Sequence, residues 1–213
     1  IVSGIHWNEN VRIMNGDEIL SKITIIGNEE DLHEIIPERH KVSNDNQWLD
    51  WKENYFTVSK YKEKIKIDII IKTNQIDSFI IENFGPDCNR LGIDKWIDFR
   101  ISNGILSFDE YKHNLLPSEL GLDKYVDLKK GCYPGQEIHA RLESRGKIKK
   151  KIFRFNSDKE IQLGKYISEK GEKINVTTSI GNTGFIIVNN LEEEIKINDY
   201  ILKSDELDTI EIS

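Results

Sequence analysis

From Lys147 onward the chain reads as one strand after another. "KIKKKIFRF", "GKYISEKGEKINVTTSIGNTGFIIVNN" and "EIKINDYILK" alternate apolar and polar residues, with Gly and Asn between the runs. A period of two is the strand period, and Gly and Asn mark the turns. Short strands in unbroken succession bury their apolar faces by curling into a barrel or packing as a sandwich. Residues 151–213 are therefore expected to form a small all-β unit, with a domain boundary near Lys150.

The upstream region mixes elements. "RIMNGDEILSKITIIG" predicts a turn at Asn15-Gly16 and a strand into Ile26. "EEDLHEIIPERH" predicts a helical turn stopped by Pro37. "KIKIDIIIK" has the alternation of a half-buried strand. In "TNQIDSFIIENFG", Ile76, Phe79, Ile80 and Phe84 recur at helical spacing and Gly85 is a stop. "DKWIDFRISNGILSFD" reads as a strand ending in a turn at Asn103-Gly104, and "LLPSELGLDKYV" as an irregular connector. The fold class expected is α+β. Residues 1–150 form the mixed region, divisible into lobes 1–86 and 87–150, and 151–213 form the β unit.

Charge is unevenly placed. The chain carries a net charge of -7, yet Lys124–Lys151 holds nine Lys or Arg against Asp127, Glu137 and Glu143. A basic island in an acidic chain suits an anionic partner, and equally a solvated helix face and strand edge. The two cysteines, Cys88 and Cys132, are too few for a disulfide framework, so free thiols in a reducing compartment are expected. No CxxC occurs, which argues against zinc or a protein-ligated cluster. No apolar run reaches the ~20 residues that span a bilayer. The sequence begins at Ile1 without a signal-peptide pattern, and residues before it are expected to be missing or removed.

"KKGCYPGQEIHARLESRG", Lys129–Gly146, resists explanation by packing. Pro134 near a first turn and Gly146 past the end predict a short helix, with Ile138 and Leu142 as its buried stripe. Arg141 and Arg145 fall on a neighbouring face. An isolated cysteine is only ~3% thiolate at pH 7. Lys129 and Lys130 just before Cys132, and a helix start just after, would raise that fraction. Gly131 and Gly135 let the backbone turn tightly and leave amide N–H groups open. Gln136 and Glu137 put polar groups in the first turn, where Glu137 also complements the helix dipole. His139 lies on the same helix seven residues on, which disfavours Cys–His hydrolysis. Cys88, in "FGPDCNRLG", reads as a small buried hydrophobe.

The segment resembles the K-G-C-[YF]-x-G-Q-E-x-x-x-R signature of the YgfZ-type folate-binding proteins. These are relatives of the glycine-cleavage T-protein (aminomethyltransferase) that act in iron–sulfur cluster assembly and support tRNA modification. Lys130, Gly131, Cys132, Tyr133, Gly135, Gln136, Glu137 and Arg141 fit it. "FRISNGILSFDEYKHNLLPSELGL" and "ESRGKIKKKIFRF" are similar to the family's passages on either side.

The resemblance implies a T-protein-like fold: α/β lobes and a small C-terminal barrel around a central channel, here shortened at the N-terminus. It implies a tetrahydrofolate-binding accessory protein of iron–sulfur metabolism in which Cys132 is the functional thiol. Lys130 would keep it ionised, and Gln136, Glu137 and Arg141 would shape the surface beside it. Arg100, Gly131, Tyr133, Gly135 and Arg145 would contact folate. No stable metal is implied, although Cys132 could touch iron or a cluster in passing. Partners would be assembly factors or client iron–sulfur proteins, with an indirect link to tRNA. A monomer away from membranes is expected, in a bacterial cytoplasm or a mitochondrial matrix. The alternative is a folate-dependent aminomethyl or methyl transferase. Against it, Ser102 stands where the T-protein has the acid that holds the pterin. A third class, RNA binding, rests on "RGKIKKK", whose close-set cations suit phosphates.

Overall fold

The alternating isoleucines of "KIKIDIIIK" form a strand whose Ile65, Ile67, Ile69 and Ile71 all enter one core. The computed structural model describes residues 15–33, 47–61, 64–86, 88–127, 129, 131, 135–138, 140, 150–189, 194–198 and 200–206. Within it, β1 (Leu20–Asn28), β2 (Leu49–Trp51), β3 (Asn54–Tyr61) and β4 (Lys64–Lys72) form an antiparallel sheet in the order β1-β4-β3-β2. The turn expected at Asn15-Gly16 falls just beyond it, at Asp17–Ile19, with the Ile19 and Leu20 N–H groups donating to Gly16 O at 2.9 and 2.7 Å. The β2–β3 hairpin turns on Lys52 and Glu53, both at positive φ (48° and 67°). The Asn54 side-chain amide holds the turn by donating to Lys52 O at 3.0 Å.

Helices α1 (Glu29–His33) and α2 (Ile76–Phe84) belong to the same core. Trp51 is its hub, meeting Phe56, Phe79 and Phe84 edge-on with ring centroids 5.5, 5.2 and 6.2 Å away. Such edge contacts place ring hydrogens on π faces and add to the area buried. Gly85 ends α2 as the sequence predicts, at φ 81° with its N–H on Ile81 O.

The next segment corrects the sequence reading. Residues Ile93–Ser102 are helix α3, not a strand. Ile97, Phe99 and Ile101 alternate, which mimics a strand, but Ile97 and Ile101 are also four apart and share a helical face. Both pack in one cluster with Leu106, Leu120, Ile152, Phe185 and Ile187. The Asn103-Gly104 turn is present, with Gly104 at φ 65°, and it stops the helix. A short helix α4 (Phe108–Tyr111) follows, opened by a capping box between Ser107 and Glu110. Two single turns, Pro117–Leu120 and Asp123–Tyr125, make up the connector.

Strands β5 (Lys151–Ser157), β6 (Gly164–Ile167), β7 (Lys173–Ile180), β8 (Thr183–Val188), β9 (Glu194–Ile197) and β10 (Tyr200–Glu206) form an antiparallel sheet in the order β6-β7-β8-β5-β10-β9. All six strands give side chains to one interior cluster, which a flat sheet cannot do. The sheet is a half-barrel. Its two edges meet where Glu169, just past β6, donates its N–H to Lys196 O on β9 at 3.0 Å. The α+β class with a C-terminal barrel-like sheet is therefore observed.

The chain divides into two compact units, one up to Asn89 and one beginning at Arg90. The second unit holds both residues 90–125 and the strands β5–β10. The reason lies in β5 and β8, which are apolar on both faces. Phe153, Ile186 and Val188 face the barrel interior, whereas Ile152, Phe185 and Ile187 face α3 and the connector. Residues 90–125 thus complete the barrel's outer core. No helix among the described residues is long and apolar enough to cross a membrane.

Candidate functional site

The signature segment is described in part. The Lys129 N–H donates to the Asp127 carboxylate at 2.8 Å, turning the chain into Gly131. Gly135 has φ 90°, a conformation suited to glycine, and among the described residues nothing lies within 4 Å of where a Cβ on Gly131 or Gly135 would stand. Residues 136–138 are helical from that turn, and the Ile138 N–H donates to Gly135 O at 3.0 Å. Gln136 is half-buried and Glu137 exposed. Lys130, Cys132, Tyr133, Arg141, Leu142 and Arg145 lie outside the described residues. Ile138 is 51% exposed, so it does not form the buried stripe expected of it. Cys88 is also exposed rather than buried, in the link that follows Gly85.

Arg100 lies on α3 and is buried. Its Nε donates to Ile105 O at 3.2 Å and its Nη2 to Glu110 Oε2 at 2.6 Å. Glu110 is fully buried and collects further donors: the Ser107 N–H at 2.8 Å, the Ser107 hydroxyl at 3.1 Å and the Thr178 hydroxyl from β7. A buried ion pair is tolerable only when its remaining lone pairs are met in this way. Thr178 reaches Glu110 from the edge of a register shift in β7 between Val176 and Thr178. Ser102, exposed at the end of α3, accepts at its carbonyl from Arg154 Nη1 at 2.8 Å. Arg100 therefore pins α3 and α4 to the half-barrel.

A second polar cluster was not visible in the sequence. On the N-terminal sheet, Asp68 accepts from the Thr24 hydroxyl at 2.6 Å and from Lys66 Nζ at 2.8 Å, with Lys22 Nζ at 3.3 Å. Burial alone would raise the Asp68 pKa. The hydrogen bonds from Lys66 and Thr24, with the charges of Lys66 and Lys22, outweigh burial and hold the carboxyl below its ordinary value. Thr57 stands directly across from Asp68 on β3, buried. Lys66 also lies over the Tyr61 ring, 6.0 Å from its centroid. The signal available in the sequence was a lone acid between lysine and isoleucines in a strand that otherwise reads as plain alternation.

No protein-family model matches the chain, and no curated protein matches it either.

Proposed function

We propose that the chain is a tetrahydrofolate-binding accessory protein for assembling or repairing iron–sulfur clusters, built on a T-protein-like fold and acting in a bacterial cytoplasm or mitochondrial matrix. The observation that carries this reading is the signature "KGCYPGQEIHAR" itself. The turn at Gly135, at positive φ and leading directly into helical residues, supports it. In this reading Cys132 is the working thiol. Lys130 and the helix start favour its thiolate, the form that ligates iron. Gln136, Glu137 and Arg141 line the surface beside it. Gly131 and Gly135 offer open backbone to a ligand, with Tyr133 and Arg145 as further contacts. Arg100 is left out of direct folate contact, because its donors serve Ile105 and Glu110.

Clients would be iron–sulfur enzymes, and through them tRNA modification. Folate-dependent aminomethyl transfer is not favoured, because a serine accepts pterin donors far more weakly than a carboxylate. The test is complementation of a strain defective in iron–sulfur enzymes. Wild-type protein should restore those activities and Cys132→Ala should not. Equal rescue by both would remove the thiol from the mechanism.

A further inference from the structure

The chain contains two Asn-Gly pairs, Asn15-Gly16 and Asn103-Gly104. This dipeptide carries latent chemistry. The glycine backbone nitrogen can attack the asparagine side-chain carbonyl carbon and close a five-membered imide, and glycine has no Cβ to shield that nitrogen. The bonds that each group already makes decide whether the ring can close. The two pairs sit in opposite surroundings.

Asn103-Gly104 is locked. The Asn103 side-chain nitrogen, which would have to leave, donates to Phe99 O at 2.8 Å. The Gly104 nitrogen, which would have to attack, donates to Ile101 O at 3.2 Å, and Gly104 is buried at the end of α3. Asn15-Gly16 is open. Asn15 is exposed, and its side-chain oxygen accepts from the Asp17 N–H at 3.0 Å. That bond spares the side-chain nitrogen and sets a donor on the oxygen where negative charge gathers during attack. Among the described residues no acceptor meets the Gly16 N–H. The sheet need not open for the reaction, because β1 is tied separately by the Thr73 N–H on Ile19 O at 2.9 Å.

We propose that Asn15 is a site of spontaneous conversion to isoaspartate in the folded protein, and that Asn103 is protected from it. The Gly16 nitrogen gives its proton to solvent and bonds to Asn15 Cγ. The side-chain nitrogen takes up a proton and leaves as ammonia. Water then opens the imide. Opening at the main-chain carbonyl leaves the backbone running through Cγ, as isoaspartate, and opening at Cγ gives aspartate. The net change is one water consumed and one ammonia released, with no oxidant or reductant. The product adds a carboxylate beside Asp17 and Glu18 and, as isoaspartate, a methylene to the main chain ahead of β1. This inference rests on nothing in the reading of Cys132, and either can fail alone.

The test is timed incubation of the full chain in mildly alkaline buffer, folded and in guanidinium chloride, then tryptic digestion and mass spectrometry. Asn15 falls in the peptide Ile13–Lys22 and Asn103 in Ile101–Lys112. In the folded chain Asn15 should convert within about threefold of its unfolded rate. Asn103 has two hydrogen bonds to break, so it should convert at least about tenfold more slowly than when unfolded. Gly16→Ala sets a Cβ beside the attacking nitrogen, and the nearest heavy atom to that Cβ is Leu20 Cδ1 at 3.6 Å, an ordinary contact. This variant should melt no lower than wild type and slow Asn15 conversion at least tenfold. Equal protection of the two sites in the folded chain, or equal conversion of both, would overturn the proposal. So would Asn15 converting at the wild-type rate in Gly16→Ala, which would show that the Gly16 nitrogen is not the nucleophile.

Discussion

At the scale of single residues, the two buried carboxylates have opposite dependences on their surroundings. Glu110 has no access to water, and its partners are an ion, two hydroxyls and a backbone N–H. Glu110→Leu would leave Arg100 charged and unpaired in the interior, a loss of about 3–5 kcal/mol by denaturant unfolding. The double variant Arg100→Met/Glu110→Leu should recover most of it, since the cost lies in the orphaned charge. Asp68 acts through pH. Its pKa is lower folded than the ordinary 3.8, so the unfolded state binds the proton first. Its contribution is present above about 3.8 and disappears as pH falls through the lower folded value. Asp68→Asn should cost about 1.5–3 kcal/mol at pH 7. It should also flatten the acid limb of a stability–pH curve. An unchanged acid limb would show that Asp68 is not held ionised.

At the scale of elements, β8 depends on the absence of one side chain. A Cβ on Gly184 would meet Thr178 O at 2.0 Å and the Phe155 ring at 2.6 and 2.8 Å. Backbone and a core aromatic cannot both retreat, so Gly184→Ala should lose about 3 kcal/mol or more. Gly171→Ala, in a turn with open space but φ 82°, should lose less. Thermal melts of the two variants order the effects. The same strands show what could be read in advance. β4, α2 and the barrel strands follow from local periodicity, and their burial follows that periodicity. α3 does not, because Ile97, Phe99 and Ile101 satisfy both periods. The choice is made by Ile152, Phe185 and Ile187, more than 50 residues away in sequence. Asp68 escaped for a related reason: register, not local pattern, brings Thr24 and Thr57 to its sides.

At the scale of the whole molecule, the question is where independent folding begins. A β unit of residues 151–213 looks self-sufficient in the sequence, since every strand alternates. The structure gives β5 and β8 a second apolar face, and Ile152, Phe185 and Ile187 need Ile97, Ile101, Leu106 and Leu120 against them. Each such side chain left in water forfeits about 1.5–3 kcal/mol, comparable in sum to the whole stability of a small domain. The Arg100–Glu110–Thr178 network crosses the same junction, and cutting at 150 would strip Thr178 of its partner. A fragment of residues 90–213 should therefore unfold cooperatively, with dispersed amide resonances. A fragment of 151–213 should aggregate or show the collapsed spectrum of an unpacked chain. If the shorter fragment instead folds with full dispersion, the apolar outer face of β5 and β8 is dispensable. The boundary would then belong at Lys150, where periodicity alone places it.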